Sequence, residues 1–195
     1  MAQRIYILDG HPAPTSLSNT FAKAYAEAAR AAGHEIRLVH LSSLHFDIDF
    51  GVAGYQQTKP LEPDLEQVLE DLAWCEHFVL ATPMWWGGMP AKLKGVFDRA
   101  LLPGRAFDTR SMHFGLPAPL LGGRTARVIL TSDTPGWFLR LAYKNSLLWQ
   151  LRRQILGFVG IKLTGVTHCS PATEPKPGMV DRWRAEVGNL GARAR

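Results

Sequence analysis

Five short apolar runs alternate with longer segments of helical periodicity along this chain, and the alternation restricts the folds open to it more than any other feature. Each run suits one buried strand, because such strands take about four to eight residues whereas helices need ten or more. The runs are Ile5–Leu8, Glu35–Leu41, Phe78–Ala81, Ala126–Thr131 and Gly160–Val166. The helical segments are Phe21–Ala29, Glu62–Glu76, Pro90–Phe97, Leu141–Leu156 and Pro177–Leu190. Strands that alternate with helices predict a parallel sheet with helices on both faces.

We therefore predict a three-layer α/β fold in which a doubly wound five-stranded parallel sheet has the flavodoxin-like strand order 2-1-3-4-5. A chain of 195 residues has the length of one ordinary domain, so residues 1–195 are predicted to form a single domain. Two connections are predicted to lack regular structure, namely His45–Phe50 with the residues that follow it, and the long loop Leu102–Gly123. Loops of such length usually belong to a site or an interface.

The composition excludes several classes of function. The net charge is +5, but the basic residues are scattered and no helix-turn-helix, zinc-finger or RNP-type motif is present, so we expect no nucleic-acid partner. No apolar run approaches the ~20 residues of a membrane span, and the first run starts too early for a signal peptide. Cys75 and Cys169 form no metal-spaced cluster. We expect a cytoplasmic protein with reduced thiols, no membrane span and no metal site.

The loop after the first strand, His11–Asn19, contains three hydroxyl side chains and leads into a helix. Free amides and the positive end of the helix dipole favour an anion at such a place, and the hydroxyls add donors, which predicts a phosphate site. The alternative is that Ser16 or Ser18 only caps the helix. Neither standard nucleotide-binding fingerprint, G-x-G-x-x-G or G-x-x-x-x-G-K-[ST], occurs here.

The loop after the third strand places Trp85 and Trp86 beside Gly87 and Gly88. Tryptophan offers a large flat face and glycine allows the backbone amide to come close, so a planar, heteroatom-rich ring suits this loop. The alternative is that both tryptophans are core or interface aromatics. The fourth strand likewise ends in small polar residues, Ser132–Gly136. Because the carboxyl ends of parallel strands meet at one edge, the three loops are predicted to converge on one crevice.

The carboxylates of the helical segment Glu62–Glu76 are predicted to form a solvated face and not an acid/base pair. They are Asp64, Glu66, Glu70 and Asp71.

Three stretches of the sequence together resemble the flavodoxin-like NAD(P)H:quinone oxidoreductases. This family includes DT-diaphorase and the flavoprotein ancillary subunits of potassium efflux systems. The stretches are the loop His11–Asn19, the run Thr82–Gly95 continued by Phe97–Arg99, and the turn Thr131–Gly136. The resemblance covers nearly the whole chain, and the second stretch is its most specific part.

The resemblance implies a set of flavin contacts. The flavin phosphate would be held by His11, Thr15, Ser16, Leu17, Ser18 and Asn19. The isoalloxazine ring would be flanked by Pro83, Met84, Trp85, Trp86 and Gly87. Its pyrimidine side would be contacted by Asp133, Thr134, Pro135 and Gly136. The flavin carries the chemistry, so no catalytic side chain is assigned, and Tyr143 is the nearest candidate for stabilising the reduced flavin. Pro135 departs from the glycine of DT-diaphorase and removes a backbone donor.

The resemblance also implies the activity, which is ping-pong hydride transfer from NAD(P)H through the bound flavin to a quinone or similar flat acceptor. FMN is the expected flavin, because the chain is short and no C-terminal feature offers an adenine pocket, with FAD as the alternative. A homodimer is implied, with Leu102–Gly123 and the segment after Trp137 near the partner. The alternative function is a flavin-binding regulatory subunit that acts through a partner protein such as a membrane transporter.

Overall fold

The computed structural model describes residues 2–51 and 58–194 of the chain. The strands are β1 Arg4–Asp9, β2 Glu35–His40, β3 His77–Pro83, β4 Phe107–His113, β5 Leu116–Pro119, β6 Thr125–Thr131 and β7 Lys162–Cys169. The helices are α1 Leu17–Ala31, α2 Pro63–Trp74, α3 Ala91–Ala100, α4 Gly136–Leu141, α5 Ser146–Trp149 and α6 Met179–Ala192. A short 3-10 turn lies at Leu41–Ser43, and a π-helical stretch, Gln150–Ile155, continues α5.

The predicted sheet is confirmed. Its five strands pair in parallel in the order β2-β1-β3-β6-β7, which is 2-1-3-4-5 when only the strands of this sheet are counted. Successive side chains of β1 point to opposite faces. Ile5 and Ile7 pack in the core on the side of α1 and α6. Tyr6 and Leu8 pack in the core on the side of α2, α3 and the π-helical stretch. The protein therefore has the three predicted layers.

The prediction of an irregular long loop at Leu102–Gly123 is wrong in its middle part, where β4 and β5 form an antiparallel two-stranded hairpin. Phe114 and Gly115 connect the strands with φ values of 50° and 78°. A two-residue turn with both φ angles positive matches the twist of a hairpin. The sequence does not predict this turn, because Phe rarely adopts a left-handed backbone conformation. Part of the other predicted loop falls on residues 52–57, which lie outside the described residues.

The single long helix predicted at Leu141–Leu156 is also wrong, because the segment is broken after α4. Lys144 and Asn145 both have left-handed backbones, with φ values of 50° and 52°, and these angles end the first helix. After α5 the chain widens into the π-helical stretch, which ends near Gly157. A Cβ atom at Gly157 would collide with the carbonyl oxygen of Arg152, so only glycine fits that close approach.

The sequence predicts Asp71 on a solvated face, and this prediction is wrong, because Asp71 is buried. Its Oδ1 accepts hydrogen bonds from Arg37 Nη1 at 2.8 Å and from Gln67 Nε2 at 3.0 Å. The Arg37 guanidinium also lies 4.1 Å from the ring centroid of Trp74. Buried carboxylates are retained when they are paired, and here the partner comes from β2. Local periodicity in α2 carries no signal for that pairing.

Cys75 and Cys169 are both free and both buried. Burial raises the pKa of Cys75 to about 11 and that of Cys169 to about 12, so both are neutral thiols near pH 7. Across residues 2–51 and 58–194, the side chains form no cluster of His, Cys, Asp and Glu suited to a metal ion. Over the same residues, every helix is too short or too polar to cross a bilayer.

Candidate flavin-binding cleft

The loops after β1, β3 and β6 converge at the carboxyl edge of the sheet, as the sequence predicts, and enclose two adjoining cavities. The first cavity has a volume of about 280 Å³ and is lined by His11, Thr15, Ser16, Leu17, Ser18, Pro83, Met84, Trp85, Thr131, Ser132, Asp133, Ala172 and Thr173. The second cavity, of about 480 Å³, is lined by Met84, Trp86, Gly87, Ser132, Asp133, Thr134, Tyr143 and Ser146. Both share Met84, Ser132 and Asp133, so they form one continuous cleft.

The loop after β1 is pinned to the sheet at its start. The Gly10 amide donates to the Ala81 carbonyl at 2.7 Å, which ties the loop across to β3. A Cβ atom at Gly10 would lie only 2.7 Å from Leu93 Cδ2, so a side chain here would force the Leu93 side chain to move. The His11 amide donates to Asp9 Oδ1 at 3.2 Å. These contacts fix the direction in which the His11 side chain enters the first cavity.

The N-terminus of α1 faces the first cavity with unpaired donors. Ser16 is the N-cap, and its Oγ accepts from the Asn19 amide at 3.0 Å, so the capping alternative is correct for this one hydroxyl. The Thr20 amide bonds the Ser16 carbonyl. The amides of Leu17 and Ser18 lie at the first two helical positions, where no intrahelical acceptor exists. The first turn of α1 contains no acidic residue. These donors and the helix dipole make an electropositive end of the cleft.

Asn19 does not line the cleft but supports it from behind. Its Nδ2 donates to Asp9 Oδ2 at 3.0 Å, and His40 Nδ1 lies 3.1 Å from the same oxygen of the fully buried Asp9 carboxylate. Together with the His11 amide, three polar groups therefore converge on Asp9. A buried carboxylate needs such partners. Through them, Asp9 ties α1, β2 and the loop between β1 and α1 to the end of β1.

The loop after β3 makes a tight turn that presents Trp86 to solvent. The Trp85 amide bonds the Gly88 carbonyl and the Gly88 amide bonds the Trp85 carbonyl, each at 2.9 Å. The two central residues, Trp86 and Gly87, have φ values of 51° and 75°. Trp86 is fully exposed and Trp85 is 45% exposed, so the core alternative is wrong for Trp86. The Trp85 ring stands edge-on to the His11 ring, with centroids 5.5 Å apart.

The loop after β6 is tied to the loop after β7. Asp133 Oδ1 accepts from the amides of Ala172 and Thr173 at 2.9 and 2.7 Å, and its Oδ2 accepts from Thr173 Oγ1 at 2.6 Å. The Thr173 hydroxyl bond, with the two amide bonds, holds the pKa of Asp133 below its usual range. Ser132 Oγ lies 2.8 Å from His168 Nε2, whose ring has a pKa lowered by burial.

Most of the residues assigned from the sequence line the cleft, but Pro135 and Gly136 lie outside its lining, at the start of α4. The cleft is also lined by five residues to which the sequence assigned no flavin contact, namely Thr131, Ser132, Ser146, Ala172 and Thr173. The loop after β7 could have been found, since the rule that ligands bind at the carboxyl ends of strands applies to the fifth strand too. Tyr143, the nearest candidate for the reduced flavin, lines the second cavity, with its ring 5.1 Å from that of Phe138.

The residues present fit a flavin phosphate and ring. The first cavity offers amides, hydroxyls and a helix N-terminus, which are the donors that a phosphate needs. The exposed tryptophan turn at the second cavity offers a flat aromatic face and a glycine amide to a planar ring. A cleft with one electropositive end and one aromatic end can therefore hold a phosphorylated, planar cofactor.

The chain matches the profile of one protein family and is similar in sequence to several quinone oxidoreductases. The profile of a family described by its flavodoxin-like fold matches residues 3–188. An FMN-dependent NADH:quinone oxidoreductase of Nitratidesulfovibrio vulgaris (strain DP4) is 27% identical over 189 residues, which cover 88% of this chain and 86% of that protein. NAD(P)H dehydrogenase [quinone] 1 of Cavia porcellus is 21% identical over 220 residues, covering 96% of this chain and 77% of that protein.

A solved structure has the same fold as this chain. The NAD(P)H:quinone oxidoreductase from Methanothermobacter marburgensis superposes with a TM-score of 0.80 at 22% sequence identity, covering 100% of both chains. That likeness agrees with the strand order of the sheet and with the three layers described above. Since the family profile spans nearly the whole sequence, this chain belongs to the family with the flavodoxin-like fold.

Proposed function

We propose that the protein is an FMN-dependent NAD(P)H:quinone oxidoreductase. The observation that carries the proposal is the cleft, in which the donor-rich N-terminus of α1 adjoins the exposed tryptophan turn after β3. An FMN-dependent NADH:quinone oxidoreductase and NAD(P)H dehydrogenase [quinone] 1 are among the relatives, which supports the same activity here.

The phosphate of FMN would lie in the first cavity, where Thr15, Ser16 and Ser18 supply hydroxyl groups. The amides of Leu17 and Ser18 point along the axis of α1 toward the same place, and the helix dipole adds to the attraction. Asn19 acts at one remove, because its side chain is engaged with the buried Asp9 carboxylate. The alternative flavin, FAD, would need an adenine pocket beyond the first cavity, where Asp133 holds Ala172 and Thr173 across the cleft.

The isoalloxazine ring would lie between the loop after β3, Pro83–Gly87, and the loop after β6 at Asp133 and Thr134. A bound flavin accepts a hydride from NAD(P)H and passes the two electrons on to a quinone. The protein orients the ring and keeps water from one of its faces. The second cavity is where a flat substrate would meet the ring, and Tyr143, whose side chain carries a hydrogen-bond donor, lines that cavity.

A cavity shared by both substrates favours ping-pong kinetics, because the oxidised nicotinamide would have to leave before the quinone enters. The two buried neutral thiols suit a reduced, cytoplasmic setting. The homodimer that the resemblance implies also remains a proposal, with the hairpin and the segment after Trp137 near the partner.

Steady-state oxidation of NADH and NADPH by the FMN-loaded protein, with a water-soluble benzoquinone as acceptor, tests the proposed activity. We expect turnover that requires both FMN and quinone, with parallel lines in double-reciprocal plots. Tight FMN binding without quinone-dependent turnover would overturn the proposal and favour the regulatory function. In that case, pull-down with a candidate membrane transporter is the next experiment.

A further inference from the structure

A third cavity continues from the second along the surface of α5 and the π-helical stretch. It has a volume of about 560 Å³ and is lined by Gly87, Lys144, Ser146, Leu147, Trp149, Gln150 and Gln154. Gly87 and Ser146 line the second cavity as well, so the two spaces are continuous. A ligand with one ring at Trp86 can therefore extend into the third cavity without leaving the protein surface. Such a ligand must be longer than a simple quinone.

Lys144 is a cation without an anionic partner in this cavity. Other basic side chains that line cavities form ion pairs: Lys94 with Asp98 and Arg105 with Glu66, each at 2.5 Å. Among residues 2–51 and 58–194, Lys144 makes neither an ion pair nor a side-chain hydrogen bond. An unpaired ammonium group bordering a cavity attracts the phosphate groups of a ligand.

The backbone holds this lysine in an unfavourable conformation. Lys144 and Asn145 have φ values of 50° and 52°, a region that residues with a side chain seldom adopt. The turn is fixed by bonds from the Asn145 amide to the Leu139 carbonyl at 2.9 Å and from the Ser146 amide to the Tyr143 carbonyl at 3.0 Å. Strain that the surroundings enforce is concentrated at functional sites. Here it places the lysine and the Ser146 hydroxyl on the same cavity.

The lining of the third cavity also contains an aromatic ring and two side-chain amides. Trp149 is 55% exposed and offers a face on which a nucleobase can stack. Gln150 and Gln154 belong to the π-helical stretch, a rare form of helix that occurs frequently at functional sites. Their side-chain amides both donate and accept hydrogen bonds, as the edges of a purine and its ribose require. The cavity thus offers a cation, an aromatic face and two side-chain amides to one ligand.

We propose that the third cavity binds the pyrophosphate and adenosine end of NAD(P)H, with Lys144 at the phosphates and Trp149 against the adenine ring. This assignment rests on the proposed function, which places the nicotinamide ring in the second cavity. A dinucleotide consists of two flat rings joined by a charged, polar linker. The two cavities together offer an aromatic side chain for each ring, Trp86 and Trp149, and a cation, Lys144, for the linker. The apolar tail of a membrane quinone would contact Trp149, but it would also cover Lys144, Ser146 and two glutamines without satisfying their polar groups.

Two dihydronicotinamides test the proposal. NADH carries the pyrophosphate and adenosine, whereas 1-benzyl-1,4-dihydronicotinamide carries neither. Lys144→Asn removes the charge and keeps a residue that tolerates a left-handed backbone. We expect it to raise the KM for NADH about tenfold, the loss of one charged hydrogen bond, with kcat nearly unchanged. The KM for the benzyl compound should not change, and Lys144→Arg should restore the KM for NADH.

Two further variants and a binding measurement complete the design. Trp149→Ala should raise the KM for NADH in the same selective way, whereas Arg152→Gln, an exposed basic residue of the π-helical stretch outside the cavity lining, should not. Isothermal titration of the FMN-loaded protein with ADP should show weaker binding to Lys144→Asn than to the unaltered protein. If Lys144→Asn changes neither ADP affinity nor the KM for NADH, the assignment is wrong while the oxidoreductase stands. If neither dihydronicotinamide is oxidised by the unaltered protein, the proposed function itself fails.

Discussion

Trp86 combines full exposure with a left-handed backbone, and neither property stabilises the folded protein. An L-residue in that conformation costs about 1–2 kcal/mol. A fully exposed indole gains no burial free energy in return. A ligand that covers Trp86 would account for both properties, and the proposed flavin ring is such a ligand.

The first prediction is that Trp86→Gly separates stacking from packing. Glycine adopts the left-handed backbone freely, so the free energy of unfolding of the flavin-free protein, measured in urea, should stay constant or rise by up to about 1 kcal/mol. FMN affinity should fall about two- to tenfold, because an aromatic contact is worth ~0.5–1.5 kcal/mol. Trp86→Phe should keep most of the affinity. A loss of ~3–5 kcal/mol of stability, the cost of a core cavity, would show that Trp86 packs in the core.

His77 is buried with its Nδ1 2.7 Å from Thr125 Oγ1, while its Nε2 has no hydrogen-bond partner among the described residues. Burial, assisted by the nearby positive charge of Arg127, lowers the pKa of His77 from 6.5 to about 4. The folded protein therefore keeps the ring neutral at pH values at which the unfolded chain protonates it. Because only the unfolded chain gains this proton, the free energy of unfolding decreases as the pH falls.

The second prediction is that stability falls between pH 6.5 and about 4. Above this window His77 is neutral in both states and has no effect, and below it the loss is complete, at most about 3 kcal/mol at ~1.36 kcal/mol per pH unit. Urea unfolding across this range should show a shallower decline in His77→Asn, which does not titrate. His168 and other groups contribute equally to both proteins, so the difference isolates His77. Identical pH profiles would contradict this explanation.

At the scale of secondary-structure elements, the sequence predicts what is periodic and local. The five apolar runs became the five strands of the sheet, because each alternates or runs apolar over the length that a buried strand needs. The hairpin turn at Phe114 and the break at Lys144 were missed, since both depend on left-handed backbones at residues that rarely adopt them. The ties from Asp71 to Arg37 and from Asp133 to Thr173 join distant segments, and no local pattern encodes them.

The third prediction concerns the loop after β7, which Asp133 holds over the first cavity. Asp133→Ala removes the acceptor of three hydrogen bonds, so the Thr173 amide should exchange with deuterium faster in the flavin-free protein, whereas the Ala172 amide keeps its bond to the Ser132 carbonyl. The free energy of FMN binding should become less favourable by roughly 1 kcal/mol, a modest value because the site is exposed. Asp133→Asn keeps part of the acceptor geometry and should lie between the two. Unchanged exchange in Asp133→Ala would show that the loop is held by other contacts.

At the scale of the whole molecule, exposed apolar side chains are concentrated in two of the segments that the structure describes. The hairpin exposes Met112, Phe114 and Leu116, and the segment that begins with α4 exposes Trp137 and Leu141. Contiguous exposed apolar patches mark interfaces, and these are the two regions at which the family resemblance predicts the homodimer contact.

The fourth prediction is that the protein is a homodimer in solution and that the interface uses these groups. Light scattering should give twice the 21.6 kDa mass of one chain. Leu141→Glu and Phe114→Glu each place a charge in the apolar contact and should shift the protein toward monomer, because burying an unpaired charge is costly. Glu174→Lys changes the charge of an exposed residue elsewhere and should leave the dimer intact. A monomeric unaltered protein with full FMN occupancy would contradict the dimer.

The central claim is that the cleft binds FMN through its phosphate and its ring, and titration of the flavin-free protein tests it most directly. Quenching of flavin fluorescence should show saturable binding of FMN with a Kd at micromolar levels or below. Riboflavin, which has the ring and lacks the phosphate, should bind at least about tenfold more weakly, because the donors at the N-terminus of α1 then have no anion to bind. If neither FMN nor riboflavin binds at micromolar concentrations, the account of the cleft is wrong.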